Sequence, residues 1–238
     1  MPEAGWPRVM LVTDRRRLVA DTGAPADDWA SLLTAQIRGA VEGGADLIQV
    51  REPDLDAATL IRFLQSLFAS VPGSQSRTVL NSQLEIARVT GARGIHLPER
   101  TPMPGDVRAL GLADKQWVTG RSVHSVRSVA ASGGFSYLLA GTVLPSRSKP
   151  DGWIPLGWEG LNGLIAAAGN IPVLAIGGLS LGHIPALVEA GATGIAGIGC
   201  FVPAEQGELT EFVRDRVRAM RLAFDSPEVV SYTGEPDR

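Results

Sequence analysis

An alternation of two periodicities constrains this chain more than any other feature. Short apolar runs lie at residues 9–13, 47–51, 78–81, 94–97, 117–122, 137–143, 173–177 and 194–200. Several are nearly continuous in Val, Ile, Leu and Ala, as strands buried on both faces are. Segments of helical period lie between them. Leu33, Ile37, Ala40 and Val41 recur at i, i+4, i+7 and i+8, and Gly43 is read as the stop of that helix. Leu60, Leu64, Leu67 and Phe68 repeat the spacing ahead of Pro72-Gly73. Further helices are predicted over residues 83–89, 123–131, 161–168, 184–190 and 209–223. Strands that alternate with helices build parallel sheets covered on both faces. Eight rounds in 238 residues fit one α/β domain, a single (β/α)8 TIM barrel. A doubly wound open sheet competes, but it calls for a Gly-x-Gly-x-x-Gly turn after the first strand, and none is present.

A weak internal repeat agrees. Gly44-Ala45-Asp46-Leu47-Ile48, Gly91-Ala92-Arg93-Gly94-Ile95 and Gly191-Ala192-Thr193-Gly194-Ile195 share Gly-Ala-x-x-Ile. Each falls where a helix must stop and a strand begin, a place for a positive-φ residue and a small one. The barrel is expected over residues 1–224. Residues 225–238, polar with two prolines and no period, read as a flexible C-terminal tail.

Composition narrows the function classes. Apolar residues make up 45% and charged residues 20%, enough for a full core and inconsistent with a disordered chain. Twenty-two Lys and Arg against 25 Asp and Glu leave a net charge of −3, without the basic excess of a general nucleic-acid binder. A local anion pocket is still allowed. The single cysteine, Cys200, excludes an intrachain disulfide and a multi-Cys metal cluster. No apolar run is long enough for a membrane span and residues 1–7 carry no charged-then-apolar leader, so no membrane partner is expected and the cytoplasm is the expected compartment.

In such barrels chemistry sits at the C-terminal ends of the strands. Gln49 and Arg51, two apart on the second strand, share one side of it, and a Gln and an Arg aimed inward need a ligand or partner. Asn81 ends the third run. His96, on the fourth, reads as structural, and His183 as a surface residue. The fifth leads into Arg121, Ser122 and His124. The sixth opens into Ser146-Arg147-Ser148-Lys149, two hydroxyls and two cations between prolines, suited to an anion. Gly177-Gly178 and Gly197-Ile198-Gly199-Cys200 follow the seventh and eighth runs. Glycine turns there bare backbone N–H groups, the usual phosphate site of these barrels.

These segments, taken in order, resemble the thiamine phosphate synthase and TenI superfamily from about residue 8 to residue 201. The resemblance is carried by Leu11-Val12-Thr13-Asp14-Arg15, Ile48-Gln49-Val50-Arg51-Glu52, Leu80-Asn81, Gly94-Ile95-His96-Leu97, Gly120-Arg121-Ser122-Val123-His124-Ser125, residues 141–151, and Ile171-Pro172-Val173-Leu174-Ala175-Ile176-Gly177-Gly178. It implies a small phosphorylated thiazole as substrate. The family's synthases couple a pyrimidine pyrophosphate to a thiazole phosphate, with Mg²⁺ holding the pyrophosphate. Their Gln-x-Arg-x-Lys has Pro53 at the Lys position here. Their Asn-Asp reads Asn81-Ser82, and the Asp of their His-Leu-Gly-Gln-x-Asp is Thr101. TenI-type members instead aromatise a thiazole phosphate carboxylate by moving a proton, with no metal, and a histidine suits that work at neutral pH.

With both acidic positions replaced, the expectation is a metal-independent thiazole tautomerase without a cofactor. His124 would shuttle the proton. Gln49, Arg51, Asn81, Arg121, Ser146, Ser148 and Lys149 would bind the substrate. Gly177, Gly178, Gly199 and Cys200 would hold its phosphate. The residues 142–151 and Pro155-Leu156-Gly157 follow the synthase pattern, which keeps the synthase open as an alternative, with Arg51, Ser146, Ser148 and Lys149 on pyrophosphate and Mg²⁺ held mainly by substrate oxygens. A non-catalytic thiazole-phosphate-binding protein is a third reading. Barrels often pair through outer helices, so a homodimer is the expected assembly.

Overall fold

A computed structural model describes residues 7–101, 117–147, 149, 152–203 and 208–227. Eight parallel strands form a closed barrel in sequence order: β1 (Val9–Val12), β2 (Leu47–Val50), β3 (Thr78–Asn81), β4 (Gly94–Leu97), β5 (Val118–Val123), β6 (Tyr137–Gly141), β7 (Val173–Ile176) and β8 (Gly194–Gly197). Closure comes where β1 pairs with β8, Met10 beside Ala196 and Leu11 beside Gly197. The described helices are α1 (Arg15–Thr22), α2 (Trp29–Gly43), α3 (Ala57–Ser70), α4 (Leu84–Thr90), α5 (Val126–Ala130), α6 (Gly157–Ala168), α7 (Ile184–Glu189) and α8 (Leu209–Asp225). The expected (β/α)8 barrel is therefore observed. The tail expected beyond residue 224 falls largely on residues 228–238, outside the described set.

Period-2 alternation divides the strands into two cores. Met10, Val12, Leu47, Val79, Tyr137, Leu139, Leu174 and Ala196 fill the barrel interior. Their neighbours Val9, Leu11, Ile48, Leu80, Leu138 and Ile195 face outward into the larger layer between strands and helices. A strand with one residue in each core has to be apolar at every position, which is why the runs looked continuous.

One helix was not expected, and several helix boundaries differ from the sequence reading, among them the starts of α5 and α6 and the end of α2. Helix α1 was not predicted because its mean composition is polar, RRRLVADT, with only Leu18 buried. Its caps hold it: Asp14 accepts from Arg17 N at 3.1 Å, and Gly23 ends it in the left-handed region. On α2 the left-handed cap is Gly44, one residue past the expected Gly43. Gly43 has a different task. A Cβ there would lie 2.6 Å from Arg214 O and 2.7 Å from Val217 Cβ, so with Gly39 it lets α8 approach α2 closely. Arg221 then bridges Gly44 O at 2.9 Å and Asp46 Oδ2 at 2.8 Å, and Asp46 also accepts from Arg8 N and Val9 N. The last helix is thereby fastened beside the strand pair that closes the barrel.

Candidate active site

The C-terminal ends of the strands surround a cavity of about 1520 Å³. Its wall carries Gln49 and Arg51 from β2 and its loop, Asn81 from β3, and His124 after β5. Ser146 and Lys149 come from the loop after β6. Gly177 and Gly178 follow β7, and Gly199 and Cys200 follow β8. Ser148 lies outside the described residues.

Arg121 does not join them. Ser122 and Gly120 take the inward positions of β5, so Arg121 points outward by alternation. There it is buried and structural. Nη1 donates to Ala131 O at 2.8 Å and Ser132 Oγ at 3.2 Å, Nη2 donates to Glu99 O at 3.1 Å, and the guanidinium lies over the Phe135 ring. The assignment of Arg121 to substrate binding is corrected on this ground. Ser122 is the residue of that strand that reaches the cavity.

Ser122 ends a buried polar chain. His96 Nδ1 meets Tyr137 Oη at 3.0 Å, and its Nε2 meets Ser122 Oγ at 2.8 Å. Burial, with the Arg51 charge adding to it, pushes the His96 pKa down to about 3, so the imidazole is neutral. Burial raises the Tyr137 pKa, so the phenol keeps its proton. Tyr137 has no other described acceptor, so it donates to Nδ1. Nε2–H then donates to Ser122, whose own hydroxyl proton is left for the cavity. His96, expected to be structural, is thus both a core residue and part of the cavity wall.

Gln49 is 2% exposed, and among the described residues its Nε2 has no partner. A buried amide donor on a cavity wall is completed by a ligand or a bound water. His124 is paired. Its Nδ1 lies 2.9 Å from Glu99 Oε2, and its backbone N donates to Glu99 Oε1 at 3.0 Å. A carboxylate only accepts, so the proton sits on Nδ1 and Nε2 is the nitrogen left without a described partner. Burial raises the Glu99 pKa, but hydrogen bonds from Ser128 and from the His124 backbone and ring outweigh it, and the net shift is downward. Glu99 is therefore an anion that orients the ring, a role its sequence position did not disclose.

The loop after β6 is stitched to the glycine turn after β7. Val143 N donates to Ile176 O at 2.9 Å and Leu144 N to Gly177 O at 3.0 Å. Gly177 and Gly178 have φ of 102° and 65°, a conformation side chains resist, and a Cβ on Gly178 would run into Pro145 O. The packing places the cationic loop directly beside the bare backbone turn. Lys149 Nζ rests 4.5 Å from the centroid of the Trp153 ring at the same mouth.

The resemblance implies Mg²⁺ beside the pyrophosphate. Among the described residues no group of three or more His, Cys, Asp or Glu is placed to hold a metal ion. Ser82 and Thr101, at the two acidic positions of the pattern, are not on the cavity wall. Glu99 is committed to His124. A hard cation of this kind needs anionic oxygens, and the described residues do not fit one held by protein carboxylates.

Glycine turns after β7 and β8 thus face cationic and amide side chains at the C-terminal end of a parallel α/β barrel. The family is specific. Residues 17–201 match the model for thiamine monophosphate synthase, and the chain belongs to this family, the thiamine phosphate synthase/TenI superfamily. The thiamine-phosphate synthase of Roseiflexus sp. (strain RS-1) is 30% identical over 204 residues, 84% of this chain and 80% of its own. That of Azorhizobium caulinodans is 30% identical over 206 residues, 86% and 90% of the two chains. A solved thiamine phosphate pyrophosphorylase from Pyrococcus furiosus superposes with a TM-score of 0.69 at 25% identity, covering 94% of this chain and 97% of its own. Among the described residues no helix is long and apolar enough to cross a membrane.

Proposed function

We propose that the chain is a thiamine-phosphate synthase, a transferase that couples a pyrimidine pyrophosphate to a thiazole phosphate and releases pyrophosphate. The observation that supports this reading is that two groups of residues suited to anions line one cavity. Gly177, Gly178 and Gly199 form one, and Arg51, Ser146 and Lys149 the other. The cavity, about 1520 Å³, exceeds the roughly 300–1,000 Å³ of a site for one drug-sized ligand, which supports a reaction of two substrates. The synthase names of the relatives support it over the tautomerase that the replaced acidic positions suggested.

In this reading the bare N–H groups of the glycine turns hold the thiazole phosphate. Lys149 and Arg51 face the pyrophosphate as its bond to the pyrimidine carbon breaks and the thiazole nitrogen bonds to that carbon. The leaving group takes the bonding pair, so the charge that develops there is met by cations already in place. Gln49 Nε2 and the Ser122 hydroxyl supply donors for heterocycle edges. No step is assigned to a metal.

One observation favours a second reading, thiazole tautomerisation. The Glu99–His124 pair is a base held by an orienting carboxylate, the arrangement that proton transfer needs. Chromatography separates the two. The purified protein receives pyrimidine pyrophosphate, thiazole phosphate and Mg²⁺, and a parallel sample starts from the unaromatised thiazole with a separate synthase added. Thiamine phosphate formed by this protein alone is the expected result. No product alone, with faster formation in the supplemented sample than by that synthase by itself, overturns coupling and establishes the tautomerase. Binding of thiazole phosphate without either turnover leaves a binding protein. The same cavity accounts for a small-molecule partner.

A further inference from the structure

The phosphate end of the cavity has a side-chain cation that the glycine turns alone do not disclose. Arg17 stands in the first turn of α1, and Gly199 follows β8. Both are on the cavity wall. The Arg17 guanidinium occupies the place where a side chain on Gly199 would go: a Cβ there would run into Nη2 and lie 2.7 Å from Cζ and 2.8 Å from Nη1. Glycine at 199 thus admits the guanidinium as well as baring backbone.

The guanidinium is held by one edge. Its Nε donates to Asp21 Oδ2 at 3.1 Å, one helical turn on. Asp21 Oδ1 also lies 3.9 Å from Arg147 Nη2, on the loop after β6. One carboxylate therefore serves two cations. Asp14, on the same wall, accepts from Arg17 N and makes no described contact with the guanidinium. Among the described residues Nη1 and Nη2 of Arg17 meet no acceptor, although the side chain is only 23% exposed. A half-enclosed guanidinium with its outer fork unfilled matches the paired oxygens of a phosphate.

We propose that Arg17 is a phosphate-binding residue of this cavity and sets its preference for a phosphorylated over an unphosphorylated heterocycle, with Asp21 as its positioning residue. The proposal rests on the reading that a thiazole phosphate occupies the cavity. It adds a side-chain charge to the backbone cradle, at a place that Gly199 leaves open.

The test is calorimetric titration of the full chain with three probes: thiazole phosphate, the same thiazole as its free alcohol, and inorganic phosphate. Arg17→Ala is expected to weaken thiazole phosphate binding about ten- to a hundredfold and to leave the alcohol unchanged. Arg17→Lys should recover part of the loss, since it restores the charge without the fork. Asp21→Asn should give a smaller loss, again confined to the phosphorylated probe. Circular dichroism and melting of each variant show whether the barrel is intact, and the alcohol reports whether the cavity is. Equal affinity of wild type and Arg17→Ala for thiazole phosphate overturns the proposal and leaves the thiazole reading standing. A wild type that binds neither thiazole but loses inorganic phosphate on Arg17→Ala supports the anion site and overturns the thiazole reading. Equal loss for the phosphate and the alcohol in Arg17→Ala makes Arg17 a packing residue and overturns its role in selectivity.

Discussion

His96 is buried where a protonated imidazole has no counterion. An ordinary histidine titrates near 6.5, and burial, with Arg51 nearby, holds this one down to about 3. Between those values the unfolded chain binds a proton that the folded chain refuses. The contribution to stability is complete above pH 6.5 and is lost as pH falls toward 3, at up to about 1.4 kcal/mol per pH unit. In an NMR titration the His96 ring resonances should stay at their neutral positions from pH 7.5 to 5 (about one and a half units below an ordinary histidine midpoint), while urea midpoints decline over the acid range. A His96 resonance that shifts with a midpoint near 6.5 would sink this account. At this scale the sequence was legible where chemistry follows from strand parity. Gln49 and Arg51 were read as sharing a side, and both reach the cavity. Arg121 was misread because two adjacent polar residues close β5 and only one of them can face inward. Strand alternation assigns that place to Ser122, in register with Gly120. The pairings of Glu99 with His124 and of Arg17 with Gly199 were not legible because the partners are 25 and 182 positions apart along the chain.

Two helical glycines show what an element's surroundings add to its sequence. Gly43 and Gly163 both sit inside helices, α2 and α6. By propensity alone Ala is the better residue at each. Around Gly43 a Cβ would press on Arg214 O and Val217, backbone and core that cannot move aside cheaply. Around Gly163 there is nothing within 4 Å. Gly43→Ala should therefore destabilise the fold by about 1–3 kcal/mol, as overpacking does. Gly163→Ala should stabilise it by about 0.4–1 kcal/mol, through the unfolded chain. Urea unfolding of the two variants checks both signs, and a stabilising Gly43→Ala would mean that α2 and α8 do not approach as described. The helical period revealed α2 and α8 as helices. Their mutual packing, which depends on small residues at Gly39 and Gly43, left no mark in either period.

For the molecule as a whole, a ligand that binds only the closed barrel must stabilise it. At a free concentration about a hundred times its dissociation constant, thiazole phosphate should add about 2.7 kcal/mol. For a chain of this size that is a rise in Tm of roughly 5–10 °C. Differential scanning fluorimetry measures it, and an unmoved Tm at saturating thiazole phosphate would remove that ligand from the site.

Local periodicity and glycine placement determined the eight strands, most helices, the end of the barrel that carries the site and the glycine turns that floor it. These are properties of neighbours within about one turn or one pleat, so the chain states them directly. Only the tertiary structure decided that Glu99 faces His124, that Arg17 fills the space over Gly199, and that Arg121 turns away. Each of these depends on which side chains meet across the closed barrel, and that is set by the β1–β8 seam and the strand register, which join residues far apart in sequence.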